Sequence, residues 1–203
     1  MTIFIAKSHS PQVKCVMPKH WFDFKDFSAR VAEMNRLHQA VHESSELRRR
    51  TRRPADIAAW EKAVDVWKDY SGVFFDKFYI FENDRFLAAL ASGEAEAKKC
   101  ALTFLEFDPY YYRSGYMKAK LLVRLKHLPL TGDEAARMRE IICKAILDRR
   151  PKCEFRYYAR MLKNVGTPEF RRQIRALTVP DIPYLKDRQA ICLQEVYWKD
   201  LSD

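Results

Sequence analysis

The sequence predicts an all-α chain, and three observations carry that reading. Apolar residues recur at alternating spacings of three and four, the prolines and most of the glycines fall between those periodic segments, and no Asn-Gly or Asp-Gly hairpin dipeptide occurs. Period-two alternation is brief wherever it appears. A strand is therefore admissible only between Met1 and Met17, and residues 1–20 are expected as an extended N-terminal segment.

The first helix is predicted over about 22–50, because Phe24, Phe27, Val31, Met34, His38 and Val41 form one seam. Ile57, Trp60, Val64, Trp67, Ser71, Phe74, Phe78 and Phe81 then repeat that spacing, and Pro54 is acceptable in a first helical turn. Two such helices joined by a short basic connection make an antiparallel hairpin spanning about 21–91. Gly72 lies inside the second seam, at a cost of about 1 kcal/mol relative to Ala, so either one helix or a break into 55–70 and 73–91 is compatible with the pattern.

Shorter helices follow at about 94–107, 115–128, 132–149, 152–164, 167–178 and 184–199. Ser114, Thr131 and Thr167 are suited to cap their starts, and Asp133, Glu134 and Glu169 place negative charge in first turns. Laying Leu105 on Leu147 and Leu122 on Leu162 pairs these helices at nearly equal offsets. The offset matches the ~40–47 residues of HEAT or armadillo helix pairs. Residues 94–203 are thus expected as a HEAT-like helical-repeat region or an irregular helical bundle, either separate from 21–91 or continuous with it.

With 203 residues, 48% of them hydrophobic, the chain can bury roughly 70% of its unfolded surface in a core. Five glycines leave no Gly-rich phosphate loop or dinucleotide fingerprint, which disfavours ATPase, GTPase, kinase and Rossmann readings. No stretch resembles a signal peptide or a span of ~18 apolar residues. Five cysteines without a C-x-x-C pair suit a reducing compartment, so a cytoplasmic protein that does not engage membranes is expected.

The formal net charge is +10, and the excess is local: +6 over 1–55, −5 over 56–108, +11 over 109–175 and −2 over 176–203. Lys120 and Arg124 stand four apart on one predicted helix, and Lys152, Arg156, Arg160 and Lys163 form a stripe on another. Arg171, Arg172 and Arg175 extend the set. If the pairs stack, both stripes fall on second helices and merge into one basic surface that attracts polyanions. Five arginines between 48 and 53, Arg49 and Arg52 among them, suit a helix C-terminus, with a phosphate or partner contact as the alternative.

The function expected from this pattern is non-catalytic protein–protein interaction, the basic surface engaging an acidic protein. Nucleic acid binding (DNA or RNA) by that surface is the alternative, with nearby tyrosines as stacking platforms. An enzyme with a site between helices is the third class. His38, His42 and Glu46 share a helix face at metal-ligand spacing, yet the H-E-x-x-H pattern is absent and His38 also fits the apolar seam, so no metal or other cofactor is expected. The dense aromatic run within 73–86 suits either a buried helix or a homodimer face.

Overall fold

The computed structural model describes residues 23–78, 81 and 83–198, and among them every regular element is helical and no strand occurs. The expected N-terminal extended segment and its admissible strand lie outside the described residues. In order, the helices are α1 (Phe24–Thr51), α2 (Pro54–Phe78), α3 (Asp84–Ala91), α4 (Ala95–Phe107), α5 (Ser114–Leu125), α6 (Gly132–Leu147), α7 (Phe155–Arg160), α8 (Leu162–Val165), α9 (Pro168–Ala176) and α10 (Pro183–Cys192), followed by a 3-10 turn at Glu195–Tyr197.

Local chemistry sets these boundaries. Asp23 caps α1 by accepting from the N–H groups of Lys25 and Asp26. At its other end Arg52 turns left-handed with φ 55°, and its N–H donates to the Arg48 carbonyl. Pro54 then opens α2 in the position where a missing N–H costs least. Gly72 does not break α2, because a single exposed Gly costs less than the packing gained by continuing to Phe78. Thr131 and Glu134 form a reciprocal capping box on α6, and Thr167 caps α9 through the Phe170 N–H.

The span expected as a helix over 152–164 is two short helices, α7 and α8, meeting at Met161. The span expected over 184–199 ends at Cys192. Gly166, which follows α8, admits no side chain: a Cβ there would stand 2.4 Å from the Leu162 carbonyl oxygen and 3.1 Å from the Trp198 ring.

Helix α2 runs back along α1. Lys77 bonds Asp26, the Tyr70 hydroxyl donates to the Arg30 carbonyl, and Arg48 lies over the Trp60 ring at 3.4 Å. The core begins at one end of this pair, where Phe27 meets Phe74, Phe78, Phe104 and Tyr111 at centroid distances of 5.1–5.9 Å. Phe74, Phe78, Phe81 and Phe86 are all buried, and Phe75 is half-buried.

From His38 to Tyr70 no residue is buried. The far half of the pair, about 20 Å long at 1.5 Å per residue, is therefore an arm whose two helices cover mainly each other. Elsewhere α4 packs on α3, α5 and α6, α5 packs on α7, and α6 packs on α7 and α8, while α10 rests on α6, α7 and α9. No helix among the described residues is long and apolar enough to cross a membrane.

Candidate polyanion-binding surface

Helix α5 turns Met117, Lys118, Leu121, Leu122 and Leu125 inward. The same periodicity leaves Tyr116, Lys120 and Arg124 on its outer side, with Tyr116 at 67% exposure, and His127 is exposed in the turn that follows. On the adjoining α7 the inward residues are Phe155, Tyr158 and Ala159, continued by Leu162. Arg156, Arg160 and Lys163 remain exposed on the opposite side.

Among the described residues no carboxylate pairs with Arg156, Arg160 or Lys163. Arg160 lies 5.1 Å from the Tyr157 ring, and Arg124 is half-buried with Nη1 donating to the Lys120 carbonyl at 3.2 Å. Because α5 packs on α7, two cationic stripes stand on neighbouring helices. Tyr116 and Arg156, like Lys120 and Arg160, are related by the same sequence offset as Leu122 and Leu162.

Other cations expected on this surface divide. Arg172 is exposed and bonds Glu169 at 2.8 Å, and Arg175 is exposed. Arg171 is half-buried, pairs with Glu195 and lies over the Trp198 ring. Arg49 and Arg52 are exposed at the tip of the arm.

Lys152 must be corrected. Its side chain is 2% exposed and its Nζ donates to Asp108 at 2.6 Å and meets Asp148 at 2.8 Å. It stands one turn before Arg156 in sequence but belongs to the connection ahead of α7, so the helical stripe begins only at Arg156.

Lys152 belongs to a buried ionic network beneath the surface. Asp108 ends α4 in a left-handed turn, φ 46°, and receives Lys118 at 2.5 Å, Arg150 at 2.6 Å and Lys152. Asp148 ends α6 and receives Arg150 and Lys152. Burial alone would raise the Asp148 carboxyl, but hydrogen bonds from Arg150 and Lys152 outweigh it and hold the group far below the ordinary carboxylate range. Burial pulls the Lys118 ammonium down, and Asp108 opposes that pull.

Arg188 of α10 continues the network, donating to the carbonyls of Ala145, Asp148 and Arg150 at 2.5–3.2 Å. Lys118, Arg150 and Lys152 thus turn toward carboxylates, so part of the +11 counted for 109–175 is neutralised inside the fold.

Sequence reasoning passes over Asp108 and Asp148 because each sits in a connection. A signal is present, since the offset between them equals that between Leu122 and Leu162 and each ends the first helix of a predicted pair.

His38 and His42 stand edge-on with centroids 4.5 Å apart, and His38 packs against Trp67 and Tyr112. Burial, with His42 adding to it, lowers the His38 pKa. Glu46 is exposed one turn on, and among the described residues no three His, Cys, Asp or Glu side chains gather as metal ligands.

Comparison with protein-family models, curated proteins and solved structures finds no match.

Proposed function

We propose that the chain is a non-catalytic helical scaffold in which α4–α5 and α6–α7 stack as HEAT-like pairs, and that the outer surface of α5 and α7 binds an acidic protein. Packing of first helix on first, α4 on α6, and of second on second, α5 on α7, supports the stacked arrangement. One observation carries the binding reading: Arg156, Arg160 and Lys163 lack carboxylate partners among the described residues while the buried cations beneath them are paired. A face that served stability alone would gain nothing from like charges on successive turns, which repel by a few tenths of a kcal/mol per pair. An acidic partner would relieve that repulsion and steer association.

The test is calorimetry at low salt with polyglutamate as the acidic chain, on the wild type and on Arg156→Glu with Arg160→Glu. Binding that falls steeply with salt and disappears in the double variant, with helical circular dichroism unchanged, is the expected result. Failure of the wild type to bind polyglutamate at an ionic strength of about 20 mM, where the Debye length is about 20 Å, overturns the proposal.

A second reading has one observation in its favour. Tyr116 is the most exposed aromatic ring of the described residues and shares the stripe of Lys120 and Arg124, as required for stacking an unpaired base. On that reading a single-stranded oligonucleotide binds more tightly than a duplex, and Tyr116→Ala costs about 1–3 kcal/mol of its affinity.

A further inference from the structure

A cleft of about 360 Å³ opens between α1 and the turns that precede α5 and α7, with Lys118 of the buried network in its lining. Tyr110, Tyr112 and Tyr116 line it and are each 48–67% exposed. Two of these rings are held in place. Tyr112 packs against Trp67 and His38, and Arg150 lies over Tyr110, whose carbonyl accepts from Asn35 at 2.7 Å.

The lining also contains Glu154, only 5% exposed. Its contacts are long: Lys118 Nζ is 3.7 Å from Oε1, and the Cys153 thiol is 3.7 Å from Oε2. Lys118 is engaged far more closely by Asp108, at 2.5 Å. Among the described residues, then, the Glu154 carboxylate accepts a hydrogen bond only from the Cys153 thiol and pairs with Lys118 only at 3.7 Å, so it has no short N–H or O–H donor of the kind a buried anion usually engages.

At the rim stands Arg113, exposed and without a carboxylate partner among the described residues, in a left-handed backbone conformation with φ 67° that is uncommon for a side chain with a Cβ.

We infer that this cleft binds a small zwitterion of the α-amino acid class, its ammonium donating to Glu154, its carboxylate meeting Arg113 and its side chain resting on the tyrosine rings. A primary ammonium supplies the N–H donors that Glu154 lacks, which a quaternary ammonium would not. A zwitterion also adds no net charge beside Lys118, where a bare cation would be repelled. The volume lies at the lower end of small-molecule clefts and accommodates one residue-sized molecule rather than a cofactor.

The experiment is titration calorimetry of the full chain with the free amino acids, each compared with its N-acetyl and methyl ester forms. At least one free amino acid binds, and both N-acetylation and esterification weaken it roughly 10- to 100-fold, the loss expected for one charge-assisted hydrogen bond. Gly115→Ala provides an independent check, because the added methyl would press within 3.0 Å of Glu154 Oε2 and 3.2 Å of Cys153 Sγ while favouring the helix. That variant is expected to keep its unfolding midpoint and lose the ligand. Absence of binding for every free amino acid at millimolar concentration, equal affinity for the acetylated forms, or full affinity in Gly115→Ala would each overturn the inference.

Discussion

The arm and the body of this molecule carry charge in comparable density and use it in opposite ways. Between His38 and Tyr70 no residue of the α1–α2 arm is buried, and Arg49, Arg50, Arg52 and Arg53 at its tip face water. Helices α4 to α7 bury a continuous apolar core and, at its edge, the ammonium groups of Lys118 and Lys152 against Asp108 and Asp148. Burial, more than residue type, separates a cation that holds the fold from one available to a partner. A charged pair taken out of water becomes strongly destabilising when one member is lost, whereas an exposed cation can be changed at little cost.

The largest expected effect follows from that contrast. Asp108→Ala removes the common acceptor of Lys118, Arg150 and Lys152, leaving two ammonium groups buried beside Glu154 and Asp148 alone. Loss of about 3–5 kcal/mol is expected in urea unfolding monitored by circular dichroism. Arg49→Ala at the arm tip, measured alongside, is expected to change stability by no more than about 0.5 kcal/mol. Equal losses in the two variants would erase the distinction between body and arm.

The pH dependence sharpens it further. Asp148 is held below its unfolded value, so the folded state binds fewer protons than the unfolded one as pH falls past the unfolded pKa of about 3.9. The stability it contributes is fully present above that value and is lost progressively below it. Glu106, through Arg137, and Glu134 are lowered as well and act in the same direction. Unfolding free energy should therefore drop on acidification from pH 5 to 3, and Asp148→Asn, already less stable at pH 7, should show a shallower slope. An identical slope in wild type and variant would remove Asp148 from the account.

Much of this division is legible in the sequence and part of it is not. The seam from Phe27 to Met34 and its partner in α2 follow from spacing, because a helix has to bury one face and the 3,4 period names that face. Thr131 with Glu134 likewise announces a helix start through local hydrogen bonding. Lys152 misleads for a physical reason: helical periodicity extends to a residue one turn before Arg156, but the connection ahead of α7 turns its side chain back to Asp108 and Asp148 at the ends of two other helices. Glu154 is equally hidden, and although the tyrosines stand out in the sequence their common cleft does not, since it is assembled from α1 and two turns that belong to different helix pairs. Pairings of that kind depend on how helices pack, which spacing along a chain does not encode.

Gly72 gives a smaller effect, of opposite sign. It lies exposed within α2, and a Cβ there would meet nothing within 4 Å. Gly72→Ala therefore removes backbone freedom from the unfolded chain without strain in the folded one, and a gain of about 0.4–1 kcal/mol is expected in the same urea experiment. A loss would mean that α2 bends at Gly72 in solution.

The smallest effect tests whether the arm is a separate cooperative unit. Arg48 lies 3.4 Å over the Trp60 ring, and its Nε is buried without a hydrogen-bond partner, so the contact joins the two helices near the tip through ring electrostatics rather than a hydrogen bond. Arg48→Ala should cost about 0.5–1 kcal/mol, the range for cation–π contacts that are not fully desolvated. Since His38 to Tyr70 is tied to the body by no buried side chain, that loss is expected in local opening alone: faster amide exchange at residues 44–64, with the global unfolding midpoint and exchange in α4 to α7 unchanged. If protection fell equally in arm and body, the two regions would unfold as one, and the half-exposed seam of Val41, Val64 and Trp67 would be sufficient to couple them.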